Sequence, residues 1–224
     1  MEIFADLLAR LGGRFAGELG LDLKAGPVPR QKWFLAAILY GARISGTLAT
    51  RTYRVFAARD LYTPEAILAQ GWDRLVGLLD EGGYARYDFK TATKLLRVMA
   101  SLKEGYQGDL ERLHGAAADF DDLGARLRAL APGLGPTTAN IFLRELRGIW
   151  PKAEPPLSPL AQRAAEALGL LPPGLTPREA LPALEQKWRA QPVAGFEFAD
   201  LEAALVRREL ERRRAIRGKL GGGG

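Results

Sequence analysis

The chain has 224 residues, enough for one or two small domains with a real core. It is 47% hydrophobic and 26% charged, with 32 Lys and Arg against 26 acids, a formal charge of +6 and a pI near 9.7, which suits a polyanionic partner. The absence of cysteine excludes disulfides, thiolate zinc sites, cysteine nucleophiles and cysteine-ligated iron–sulfur clusters, and the single histidine, His114, is too few for a histidine-built metal site.

Helical periodicity runs through the chain, and sustained alternation of the strand kind is missing. Residues 2–11 place Ile3, Phe4, Leu7, Leu8 and Leu11 on one stripe, ended by Gly12-Gly13. A Gly-Pro-rich loop, Ala25 to Arg30, precedes an apolar helix over 31–42, followed by a helix over 47–58 carrying Arg51 and Arg54, with Arg59 just past its end. Thr63-Pro64-Glu65 is a capped helix start, with proline in the first turn and an acid at the positive dipole end. The pattern predicts further helices over 71–79, 88–102 and 119–131. Beyond a proline-rich loop at 151–159, helices are expected at about 159–168, 177–190 and 197–217, the second started by Thr176-Pro177-Arg178-Glu179. The last holds RRELERRRAIRGK, seven basic side chains and two acids over 207–219, read either as a solvated face or as a phosphate-contacting surface. The closing glycines, 221–224, read as a flexible tail.

No apolar run reaches the ~18 residues needed to span a bilayer, and the N-terminus lacks a signal-peptide pattern. The expectation is a cytoplasmic protein without a membrane partner, nucleoid-associated in a bacterium.

The most specific string is LAPGLGPTTANIF, residues 130–142. A helix must end at Pro132, which has no amide hydrogen and restrains the residue before it. Gly133 and Gly135 permit a very tight turn, and Pro136 opens the next helix at its favoured first position, with Thr137 and Thr138 in the first turn. Such a hairpin presents unpaired amides at a positive helix end, a ready phosphate site.

The segment resembles the helix-hairpin-helix DNA glycosylases, the superfamily of endonuclease III, whose hairpin reads like LPGVGxxTAN. Residues 34–56, FLAAILYGARISGTLATRTYRVF, look like that family's first barrel helix and the turn after it, with Arg43 where relatives often carry an inserted glutamine. Residues 82–102, GGYARYDFKTATKLLRVMASL, are similar to its Gly-aromatic-x-x-x-Lys-Ala helix start. The resemblance covers about residues 30–170. It implies an all-α fold of two helical domains with double-stranded DNA across the cleft between them: a central barrel over 30–143, and a second domain from 1–29 and 144–220. It further implies a protein that acts as a monomer in base-excision repair, flipping a damaged base out of the duplex.

For the site, the resemblance puts Gly133, Leu134, Gly135, Thr137 and Thr138 on the DNA backbone, with a monovalent cation on the Gly133 and Gly135 carbonyls and no other cofactor. Arg43, Arg51, Lys90 and Arg163 are further DNA-contact candidates. Tyr84, Arg86 and Tyr87 form a polar-aromatic cluster read either as a base pocket or as packing. Thr137 stands where bifunctional relatives carry a Schiff-base lysine, so a monofunctional enzyme using water is expected. Where relatives carry an aspartate after the hairpin helix, this chain has Ser158 in P-L-S-P-L-A-Q-R. Three readings stay open: Glu154 or Asp88 supplies the carboxylate; Ser158 with tyrosines and arginines works without one; or catalysis is lost and the protein only binds distorted DNA. Ser158 before Pro159 is equally well read as a helix cap.

Overall fold

The computed structural model describes residues 2–42 and 44–221. Every regular element among them is helical. In chain order they are α1 (Glu2–Leu11), α2 (Phe15–Glu18), a 3-10 turn (Leu23–Ala25), α3 (Pro27–Tyr40), α4 (Gly46–Ala57), α5 (Pro64–Leu68) and α6 (Gly71–Glu81). They continue with α7 (Asp88–Tyr106), α8 (Leu110–Ala116), α9 (Phe120–Ala129), α10 (Pro136–Glu145), α11 (Pro159–Ala167), α12 (Pro177–Ala190) and α13 (Phe198–Gly221).

The chain divides into two compact units, residues 18–154 and residues 1–17 with 155–224. The boundaries fall at 17/18 and 154/155 rather than at 29/30 and 143/144. The extra residues stay with the central unit because they contribute to its core. Leu23 is buried and its carbonyl accepts a 2.8 Å bond from Arg30. Trp150, also buried, stacks on His114 with ring centroids 4.5 Å apart and donates to Glu111. Arg30 and Glu111 join 2.6 Å apart.

The central unit is built around α3, in which Trp33 through Leu39 are all buried. The Trp33 indole donates to the Phe142 carbonyl of α10 at 3.2 Å, and Phe34 meets the Phe142 ring edge-on at 5.0 Å. The hairpin helix is thereby fixed to the middle of the core. Helix α3 begins four residues before the expected 31, because Pro27 and Pro29 fall in its first turn, where no amide donor is needed. Periodicity also missed α2 and α8, which are too short to show a full face.

In the unit of both chain ends, α13 packs along α1 and α11. Phe4, Leu7, Leu8, Ala161, Ala165, Leu184, Leu201 and Leu205 close its core. Ile3, placed on the α1 stripe by spacing, is instead 48% exposed, since the inward face is narrower than the stripe. Thr176 and Glu179 form a reciprocal capping box at the start of α12. Helix α13 continues through Gly221, so the first glycine of the expected tail is helical, and 222–224 lie outside the described residues.

The basic C-terminal segment is partly turned inward. Arg207 donates to the carbonyls of Leu11 and Gly13 at 2.9 and 2.6 Å and lies 4.1 Å over the Phe15 ring. Glu209, with a side chain only 1% exposed, receives Arg212 at 2.7 Å and Arg213 at 2.9 Å, with Arg163 at 3.6 Å. Arg212 above all, and Arg213, hold the Glu209 carboxyl well down, to about 2. Arg208 and Arg214 face solvent.

Candidate nucleic-acid interface

The hairpin between α9 and α10 takes the form its sequence demands. Leu130 ends α9, and the Leu134 amide donates to Ala131 at 3.1 Å, closing the turn. Gly133 sits at φ +86°, in the left-handed region where a side chain is strained. Gly135 is the N-cap of α10, extended at φ −88° and ψ 177°, with Pro136 following and no acid in the first turn. The first turn of α10 is therefore a positive helix end with no acid of its own.

Within the hairpin the roles divide. Gly133 and Thr137 are exposed and Gly135 partly so. Leu134 and Thr138 are each 3% exposed, so their side chains anchor the turn. Thr138 lies against Gly41 at the end of α3. A Cβ on Gly41 would overlap the Thr138 hydroxyl, so glycine there permits the close approach of α3 to the hairpin helix.

Beside the hairpin is a pocket of about 560 Å³, entirely within the central unit. Pro132 and Gly133 form one wall, Gly41 and Ala42 a second, and the first turns of α7 a third. That third wall supplies Tyr87, Phe89, Lys90, Lys94 and Arg97. The three cations recur at i, i+4 and i+7, which places them on one helix face. No acid lines the pocket among the described residues. Lys94 packs closest to the turn: a Cβ added at Gly133 would stand 3.7 Å from its Cε. Burial lowers the pKa of its ammonium, which an incoming anion would oppose.

Of the residues the sequence singled out, Lys90 and Tyr87 line this pocket, while Lys94 and Arg97 were missed. Their helical spacing from Lys90 could have exposed them. Tyr84, expected at a base pocket, is only 1% exposed and donates to the Leu39 carbonyl at 2.7 Å. Burial raises its phenol pKa, and the residue packs in the core. Arg86 is exposed, its guanidinium 5.7 Å from the Tyr87 ring centre. Arg51 is exposed and donates from Nε to the Gly82 carbonyl at 2.7 Å, tying α4 to the end of α6. Arg43 lies outside the described residues.

The carboxylate candidates differ. Asp88 begins α7, is buried, and accepts the Phe89 amide at 2.7 Å, a local bond at a helix start. Desolvation, followed by the neighbouring Asp88 carboxyl, raises the pKa of Asp80. Glu154 closes the central unit and is exposed. In the other unit, Ser158 is 7% exposed and caps α11, its hydroxyl accepting the Ala161 amide at 3.2 Å. Arg163 of the same helix is exposed and directed to Glu209. No group of three or more potential metal ligands occurs among the described residues. No described helix is long and apolar enough to cross a membrane. Compared with models of known protein families and with curated proteins, the chain matches none.

Proposed function

We propose that this protein is a helix-hairpin-helix DNA glycosylase-like protein that holds damaged duplex DNA through the 133–138 turn. The observation that carries the reading is the juxtaposition of the Pro132-Gly133 turn, which leads into the acid-free start of α10, with the Lys90, Lys94 and Arg97 face of α7. Cations bordering a glycine turn at a helix start suit a phosphate chain, and the glycine lets that chain approach closely. The carbonyls of Gly133 and Gly135 would hold a monovalent cation; Gly135 already accepts the Ala139 amide at 3.2 Å and keeps a second lone pair.

In this reading the target base is flipped out of the stack and water attacks C1′ of its sugar. The C1′–N bond breaks, the base leaves with the electron pair, and the water proton passes to a carboxylate. Thr137 provides no amine, so no covalent sugar intermediate forms there. Glu154, exposed and in the loop after the hairpin helix, is the better acid for that role, because Asp88 is buried against its own helix start. A second reading, a non-catalytic protein that recognises distorted DNA, is favoured by the capping role of Ser158, which leaves the relatives' aspartate position without a charge.

The test is a panel of duplex oligonucleotides carrying uracil, oxidised, alkylated and deaminated bases, treated with alkali to cut at any abasic site formed. Cleavage at one or more lesions supports the enzyme. Duplex binding without cleavage at any lesion selects the non-catalytic reading.

A further inference from the structure

Two aromatic side chains stand exposed beside the cationic pocket and have no part in the hairpin's grip. Phe89 is 59% exposed and Trp72 39% exposed, although burial is the usual fate of large aromatic rings. Their ring centroids lie 5.2 Å apart at an interplanar angle of 40°. The pair is held in place: the Trp72 indole donates to the Thr93 hydroxyl at 3.0 Å, and that hydroxyl donates to the Phe89 carbonyl at 2.9 Å. Phe89 and Thr93 also line the pocket that contains Lys90, Lys94 and Arg97, so the rings and the cations share one continuous surface.

We infer that this surface binds a single-stranded nucleic-acid segment continuing from the duplex, with unpaired bases stacked on Phe89 and Trp72 beside the phosphates held by Lys90, Lys94 and Arg97. The inference rests on the nucleic-acid reading of the hairpin and goes beyond it, since gripping a duplex requires no stacking platform. The charge pattern selects the ligand: three cations and no acid line the pocket among the described residues, beside two rings. Bases inside a duplex already stack on both faces and offer a protein only their edges. Unpaired bases offer faces, and exposed rings bordered by cations are how proteins hold single strands without reading sequence. The protein would therefore favour DNA with a gap or single-stranded end next to the duplex.

The experiment compares binding of blunt duplex, the same duplex with a single-stranded overhang, and oligothymidylate. Trp33, Trp150 and Trp188 are 0, 3 and 8% exposed, so quenching of tryptophan emission on binding reports Trp72. The overhang should bind about tenfold more tightly than blunt duplex for each base stacked. It should quench emission in wild type and not in Trp72→Phe. Phe89→Ala, shown by thermal melt to stay folded, should bind overhang and blunt duplex alike, and Phe89→Tyr should keep the preference. Equal affinity for blunt and overhang DNA overturns the inference, as does a preference that survives Phe89→Ala. Base release from blunt lesion duplexes without any overhang preference sinks this inference alone. Overhang preference without base release sinks only the catalytic reading.

Discussion

Alanine at Gly133 and at Gly135 separates backbone strain from phosphate approach in the hairpin. At Gly133, φ is +86°, and an L-residue there costs about 1–2 kcal/mol. The new methyl would have only the Lys94 side chain nearby, at 3.7 Å, an ordinary contact, so strain is the main folding cost. At Gly135, φ is −88° and nothing lies within 4 Å of an added Cβ. The cost there is that of alanine at an N-cap, at most about 1 kcal/mol. For a chain of this length each kcal/mol moves the melting temperature by roughly 2–4 °C. Gly133→Ala should therefore melt roughly 2–8 °C lower, and Gly135→Ala no more than about 4 °C lower. Both methyls point where a phosphate would approach the turn. Losing one charge-assisted amide contact, about 1.5–3 kcal/mol, should weaken duplex binding by roughly 10- to 100-fold in each variant. Fluorescence anisotropy at fixed salt, beside thermal melts, measures both quantities. A well-folded Gly135→Ala that binds duplex as tightly as wild type would refute the claim that the hairpin grips a phosphate.

Other consequences follow from single side chains. Lys94→Met should weaken duplex binding and reduce the slope of log affinity against log salt by about 1, measured by titration at several salt concentrations. Because burial lowers the Lys94 pKa, its charge opposes folding below that pKa and the penalty fades as pH rises towards 10.5; Lys94→Met should thus melt at or above wild type near neutral pH. Glu209 has the opposite sign. Its carboxyl is held at about 2 against an ordinary 4.5, so its contribution is complete above 4.5 and is lost as pH falls through about 2. Arg212 and Arg213 are roughly half-exposed and solvent screens the pairs, so Glu209→Gln should cost only about 1–2 kcal/mol in denaturant melts at neutral pH. Borohydride should trap no covalent complex with abasic DNA through residue 137, and trapping abolished only by Thr137→Ala would contradict that.

The helical class and the hairpin were legible in the sequence because both depend on local signals. Pro132, Gly133, Gly135 and Pro136 constrain the backbone directly, and apolar spacing marks α7, α10 and α12. Side-chain partners were not legible, because they are chosen by tertiary packing. Tyr84 looks like a ligand-facing residue until Leu39, distant in sequence, is found as its acceptor. The basic C-terminal run resembles a polyanion surface, yet Arg207 turns in to Leu11 and Gly13 and Arg212 and Arg213 turn to Glu209. Lys94 and Arg97 acquire interest only once the hairpin is seen to pack beside α7. Ser158 was readable as a cap from the serine-proline pair alone, and it is one.

The most direct test of the hairpin as a nucleic-acid grip is titration of isotope-labelled protein with a short duplex containing an abasic-site analogue, followed through backbone amide resonances. The account predicts that the amides of Gly133, Gly135, Thr137 and Thr138 shift first and furthest, together with those of α7 around Lys90 to Arg97. Shifts confined to α13 around Arg208 and Arg214, with the hairpin amides unmoved at saturation, would contradict it.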